Sequence, residues 1–105
     1  MSEKRRGRRI VYHVEARVEG LETGRQSTRV TDISAEGAFI DSRTVFPVGR
    51  RGVVAFAVGD REISVEIEVV HAMSGMGMGV RFVNLGAEER ALIETLIKAH
   101  SSRDV

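Results

Sequence analysis

Apolar and polar side chains alternate along two long segments of the chain. From Ile10 to Val18 an apolar residue occupies every second position, and from His13 onwards the positions between them are polar. Residues 61–71 show the same period of two, with isoleucine and valine on one face and glutamate and serine on the other. Successive side chains of a strand point to opposite faces, so this period is typical of a strand with one buried face. Residues 10–19 and 61–71 are therefore predicted as half-buried strands.

Shorter patterns predict four further strands and a helix. The strands are expected at residues 25–33, 38–40, 52–58 and 78–83, separated by turns that include 20–24, 59–60 and 74–77. After residue 86 the apolar spacing changes to three and four, which predicts a helix over residues 87–100. The apolar face of this helix is expected to consist of Ala91, Leu92, Thr95, Leu96 and Ala99.

Six strands followed by one helix define the expected fold class, all-β with a terminal helix. Regularly spaced antiparallel strands in a short chain favour a six-stranded barrel, because closure removes exposed strand edges. The C-terminal helix is expected to close one end of the barrel, and Phe39 and Phe56 are expected in the core. Residues 1–9 are predicted to form a flexible arm, 10–100 the barrel with its helix, and 101–105 a frayed tail.

Composition excludes several function classes. The chain has 105 residues, 42% of them hydrophobic and 30% charged, which is typical of one globular domain. It contains no cysteine, so disulfides, zinc–thiolate sites and thiol nucleophiles are excluded. The three histidines lack ligand spacing, and we find no catalytic constellation, so neither a metal site nor an enzyme is expected. Without a membrane-spanning apolar run or a signal peptide, the expected location is the cytoplasm.

Basic residues are concentrated at the start of the chain. Residues 1–10 hold five of the 16 basic and one of the 15 acidic residues, which leaves 11 and 14, a net charge of −3, for the remainder. Arg5 and Arg9 form an Arg-x-x-x-Arg pattern, and Arg6 lies between them. Guanidinium groups bind phosphates with two parallel hydrogen bonds and stack on flat rings. The arm is therefore a candidate anion-binding element, with a merely solubilising tail as the alternative.

A second motif lies where the second predicted strand ends. Asp32, Ser34 and Gly37 form the pattern Asp-x-Ser-x-x-Gly. In an extended segment the first two side chains lie on the same side, where a carboxylate can accept the N1–H and N2–H₂ groups of a guanine. Gly37 fits a turn or a place where a ligand approaches the backbone. The alternative is a purely structural turn, since aspartate and serine often bond to their own backbone.

Taken together, the two motifs resemble those of the PilZ domain, a family that binds the bacterial second messenger cyclic di-GMP. Arg5 and Arg9 match its arginine motif, and Asp32, Ser34 and Gly37 match its second motif. The segment Gly79-Val80-Arg81-Phe82 is similar to the last strand of the family, so the resemblance covers nearly the whole chain. It implies a six-stranded barrel with a C-terminal helix, as the pattern of the chain also predicts.

The resemblance implies a stand-alone, non-catalytic cyclic di-GMP receptor. Its expected ligand-binding residues are Arg5, Arg6, Arg9, Asp32, Ser34 and Gly37, and cyclic di-GMP is its ligand rather than a cofactor. The arm is expected to become ordered on binding and to signal to a separate, unidentified effector protein that controls motility or biofilm formation. Two alternatives are a nucleic-acid-binding barrel and a nucleotide-independent adaptor. The net charge of −3 outside the arm and only five aromatic residues argue against nucleic acid.

Overall fold

A computed structural model describes residues 9–19, 26–42 and 46–103 of the chain. These residues form six strands and one helix, in the order predicted from the sequence. The strands are β1 (Ile10–Glu19), β2 (Gln26–Ile33), β3 (Gly37–Asp41), β4 (Arg51–Val58), β5 (Arg61–Met73) and β6 (Gly77–Val83), and the helix is α1 (Ala87–Arg103). The arm at 1–8 and the predicted turn at 20–24 lie outside the described residues.

The six strands close into an antiparallel barrel with the order β1-β2-β3-β6-β5-β4. Four of the five connections between successive strands join neighbours in the barrel, and the exception is the connection from β3 to β4. The barrel closes because β1 pairs with both β2 and β4. The long β5 pairs with β4 through residues 61–68 and with β6 through residues 66–73. Closure gives every strand two hydrogen-bonded neighbours, which confirms the predicted fold class.

The inward faces of the strands supply the core. The predicted alternation is realised on β5, where Ile63, Val65, Ile67 and Val69 are buried and the glutamates between them face outwards. Burial of one such side chain contributes about 1.5–3 kcal/mol, so the core stabilises the fold without any covalent crosslink. Phe56 belongs to this core as expected. Phe39 does not, because its ring lies outside the barrel, against Gly77.

The helix buries a different face from the one expected. Its most buried side chains are Ile93 and Ile97, whereas Ala91, Thr95 and Ala99 are exposed. Leu92 and Leu96 are partly buried at the edge of the same core cluster. Two isoleucines four residues apart bury more apolar surface than alanine and threonine, so the helix is rotated to place them inward. The helix also continues to Arg103, three residues beyond its predicted end.

Candidate ligand-binding site

An irregularity in β2 exposes the carboxylate of Asp32. Val30 and Ile33 are both fully buried, although residues three apart in a regular strand lie on opposite faces. The pairing of β2 with β3 shifts by one residue between Val30 and Asp32, which accounts for the extra position. Bulges of this kind redirect side chains, and they are common near functional sites. As a result Asp32 lies on the outer surface of the barrel.

Arg9 and Asp32 form an ion pair on that surface. Nη1 of Arg9 donates to Oδ1 of Asp32, across 23 residues of sequence. The antiparallel register of β1 and β2 makes this contact possible, because it places Ile10 opposite Ile33 and Val11 opposite Asp32. The side chains of Arg9 and Asp32 remain 49% and 30% exposed, so both are accessible from solvent. The contact joins one residue from each of the two sequence motifs.

Ser34 stabilises the turn between β2 and β3. It is only 1% exposed, and its amide donates to the carbonyl oxygen of Gly37 over 2.8 Å. Its hydroxyl oxygen accepts the backbone N–H groups of Glu36 and Gly37 at 3.2 and 3.3 Å. The hydroxyl is therefore bonded to the backbone of the turn, as in the structural alternative. In this arrangement Ser34 fixes the backbone that carries Asp32.

Gly37 is required by close packing of two strands. A Cβ at this position would overlap the carbonyl oxygen of Val80 and lie 3.0 Å from Cα of Arg81. Gly37 is opposite Arg81 in the β3–β6 ladder, and Phe82 donates its amide to the carbonyl oxygen of Glu36 over 2.8 Å. The glycine therefore lets the turn dock against β6, which holds the second motif on the barrel.

A cleft of about 320 Å³ lies beside the same turn. Its polar lining comes from Glu36 in the turn, Arg81 and Asn84 at the end of β6, and Arg90 in the helix. Arg81 is bonded to Glu68 at 2.7 Å, so this part of the lining is held against β5. No local sequence pattern predicts this cleft, because its lining residues lie up to 55 positions apart, from Ala35 to Arg90.

The structure describes four of the six predicted site residues. Arg9, Asp32, Ser34 and Gly37 lie around one end of β1 and β2 and the turn that follows β2. Arg5 and Arg6 lie outside the described residues. Within 9–19, 26–42 and 46–103, no group of three or more histidine, aspartate or glutamate side chains is arranged to hold a metal ion. In the same ranges, no helix has the length and apolarity to cross a membrane.

Comparison with known proteins assigns the family. The family model described as the PilZ domain matches residues 3–99. The chain belongs to the PilZ domain family. PilZ domains are non-catalytic, which confirms the expectation that the chain is not an enzyme. None of the curated proteins compared with the chain matches it.

Solved structures show that the PilZ fold extends over almost the entire chain. The PilZ domain with cyclic di-GMP of YcgR from Escherichia coli has a TM-score of 0.75 and 14% identity, over 96% of this chain and 95% of that one. The Bacillus subtilis inhibitor of motility (MotI/DgrA) has a TM-score of 0.77 and 18% identity, over 91% of this chain. The present PilZ chain spans about half of the length of that inhibitor, 51%.

A third PilZ domain shows the same architecture in a different protein. The PilZ domain of CeSA from a cellulose-synthesizing bacterium has a TM-score of 0.67 and 12% identity, over 89% of this chain and 97% of that one. At such low identities the barrel and its helix are the shared feature. The residues that could bind a ligand must therefore be argued from this chain itself.

Proposed function

We propose that this PilZ domain is a cytoplasmic receptor for cyclic di-GMP. Its ligand site consists of Arg5, Arg6, Arg9 and Asp32, which contact the ligand, and of Ser34 and Gly37, which hold the backbone that carries Asp32. The observation that carries the proposal is the ion pair between Arg9 and Asp32, which joins the two motifs on the outer surface of the barrel. A structural turn alone would need Ser34 and Gly37, but it would not need an exposed carboxylate next to the arginine motif.

Asp32 is the group that recognises guanine in this proposal. A carboxylate has two oxygens and about four acceptor sites, and Arg9 occupies one of them at Oδ1. The Arg9 contact is made to Oδ1 and not to Oδ2. The carboxylate can therefore accept the N1–H and N2–H₂ groups of guanine along one edge while it keeps its contact with Arg9. Adenine lacks this pair of donors, so the site favours guanine.

The arginines bind the phosphates and the exposed faces of the bases. Arg9 is fixed by Asp32 and marks where the arm meets the barrel. Arg5 and Arg6 approach the ligand from the arm. Ordering the arm costs on the order of 1–2 kcal/mol per residue. Several charge-assisted hydrogen bonds of about 1.5–3 kcal/mol each are needed to offset that cost. The arm therefore becomes ordered only when the ligand supplies phosphates and bases to bind.

The ordered arm is the signal that an effector protein reads. Binding changes the surface around Arg9 from two ion-paired side chains to a folded segment with bound nucleotide. The similarity to a protein named as an inhibitor of motility supports motility, or a related process such as biofilm formation, as the regulated output. The effector is a separate protein that recognises the arm and the adjoining barrel surface.

Calorimetric titration tests the proposed function. Cyclic di-GMP, cyclic di-AMP, GTP and a single-stranded oligonucleotide are titrated into the wild-type protein at one fixed salt concentration. We expect saturable binding of cyclic di-GMP, with much weaker binding of the other three. Equal affinity for the two cyclic dinucleotides contradicts guanine recognition by Asp32. Tight binding of the oligonucleotide alone supports the nucleic-acid alternative, and binding of none supports the adaptor.

A further inference from the structure

Val11 is an apolar residue exposed on the outer face of β1. Its exposed fraction is 70%, the largest among the exposed large apolar side chains of the described residues. The positions that follow on the same face are polar, namely His13, Glu15, Arg17 and Glu19. An exposed valine is common on protein surfaces and by itself indicates nothing. Its position relative to the ion pair is what distinguishes it.

Val11 lies directly beside both members of the Arg9–Asp32 pair. It is the cross-strand partner of Asp32 in the β1–β2 ladder. Directly opposed residues have Cβ atoms about 4.5–5.5 Å apart. Arg9 precedes Val11 by two residues and bonds to the carboxylate opposite Val11, so its side chain lies on the same face as that of Val11. The three side chains therefore form a triangle with one cation, one anion and one apolar group.

The triangle combines the groups that a purine base requires. A base bound through its edge to a carboxylate presents an apolar face to the side chains next to that carboxylate. Here the adjacent side chain is a branched hydrocarbon with no hydrogen-bonding group, fixed on a strand with little freedom at χ1. Contact with a base would remove from water the methyl groups that are now exposed, and burial of apolar area favours binding.

We propose that Val11 is a further specificity-determining residue of the ligand site, which contacts the face of the guanine whose edge is bound by Asp32. The inference rests on the proposed function, because it places the base at Asp32. It adds an apolar contact on β1 to a site otherwise made of charged and polar groups. Val11 favours a flat base over a phosphate or a sugar, which would leave its methyl groups in water.

Two variants and one control measure this contact. Val11→Thr keeps the branched shape but replaces a methyl group with a hydroxyl, and Val11→Ala removes both methyl groups. Val48→Thr is the matched control, because Val48 is also strongly exposed, at 62%, but lies in the loop before β4. We expect about a fourfold loss of cyclic di-GMP affinity for Val11→Thr and about tenfold for Val11→Ala. We expect Val48→Thr to bind like the wild type.

Methyl NMR spectra of the wild-type protein provide a second readout that a purely structural role would not change. A guanine stacked on Val11 shifts both of its methyl resonances upfield through the ring current, whereas those of Val48 stay unchanged. The proposal requires both the affinity loss and the methyl shift. If the wild type binds cyclic di-GMP but either result is absent, the role of Val11 is wrong and the proposed function stands. If the wild type does not bind, both are overturned.

Discussion

Two ion pairs on the outer surface of the barrel, near the two ends of β1, differ in what surrounds them. Arg9 pairs with Asp32, and Arg17 pairs with Glu62 at 2.9 Å. The two arginines are 49% and 50% exposed, so neither charge nor accessibility separates them. Exposed pairs of this kind contribute only about 0–1 kcal/mol to stability. Any difference in function between them must come from their surroundings.

The surroundings of the two carboxylates are unlike each other. Arg17 reaches across β4 to Glu62 on β5, above a regular ladder in which Arg17 is opposite Ala55 and Ala57 is opposite Glu62. Glu62 is 53% exposed, and although it follows the hairpin turn at 59–60, the β4–β5 ladder that carries it has no bulge. Asp32 follows a bulge and precedes a turn that is fixed by Ser34. The comparison indicates that the bulge and the bonded turn around Asp32, rather than the ion pair itself, distinguish the proposed ligand site from a solvated surface.

Replacing the two carboxylates should produce the largest difference in cyclic di-GMP affinity between the two ion pairs. In Asp32→Asn a donor faces the N–H groups of guanine and the charge opposite Arg9 is lost. We expect roughly a hundredfold loss of cyclic di-GMP affinity, measured by calorimetry, from one or two lost charge-assisted contacts. Glu62→Gln makes the same chemical change at the other pair and should alter the affinity less than twofold. Similar losses in both variants would mean that net charge alone controls binding.

The free energy of unfolding should depend on Gly37, which packs the turn after Asp32 against β6. In Gly37→Ala the new methyl group meets the backbone of Val80 and Arg81, so we expect a loss of about 1–3 kcal/mol in the free energy of unfolding. Gly79→Ala is the control, because its Cβ meets only Cβ of His71, at 3.3 Å. Urea unfolding without ligand measures both. The packing argument fails if Gly37→Ala is no less stable than Gly79→Ala.

Replacing Arg9 should weaken ligand binding without lowering the stability of the fold. We expect Arg9→Ala to weaken cyclic di-GMP binding at least tenfold, because one charge-assisted contact is lost. Its melting temperature without ligand should change little, since the side chain is exposed and lies outside the core. Arg17→Ala removes an equally exposed, equally paired charge and should bind like the wild type. An equal loss in the two variants would remove Arg9 from the site.

The smallest expected effect is at Ser34. In Ser34→Ala the amides of Glu36 and Gly37 lose their acceptor, and that of Gly37 is buried, which should cost about 1–2 kcal/mol in the free energy of unfolding. The affinity for cyclic di-GMP should fall by a few-fold, because the backbone that carries Asp32 is less well fixed. Ser64→Ala, at an exposed position of β5, is the control. Normal stability combined with a large loss of affinity would instead place the hydroxyl on the ligand.

The sequence predicted the strands better than the helix face. Alternation along β1 gave its bounds to the residue, because one face of a strand is simply every second side chain. On α1 the leucines Leu92 and Leu96 border two stripes, and the expected one paired them with alanine and threonine. The structure selects the stripe with Ile93 and Ile97. Spacing alone does not decide between stripes, since the choice depends on the volume that the barrel must fill.

The motifs were predicted from the sequence, but their geometry was not. The contact between Arg9 and Asp32 depends on the register of β1 and β2, which no local pattern encodes. The exposure of Asp32 depends on the bulge after Val30, where apolar alternation is interrupted by one position. Gly37 was expected at a turn or a ligand contact, and it does end the turn at Ser34, but the close neighbours that require a glycine are backbone atoms of β6, distant in sequence.

Hydrogen exchange with and without cyclic di-GMP tests the central claim most directly. We predict that saturating ligand slows exchange at residues 5–9 and 32–37, because the arm closes over a nucleotide bound at Asp32. Residues 15–19 and 61–66, around the Arg17–Glu62 pair, should exchange at the same rate in both states. Unchanged exchange at 5–9 and 32–37, or protection confined to the Arg17–Glu62 region, would contradict the account.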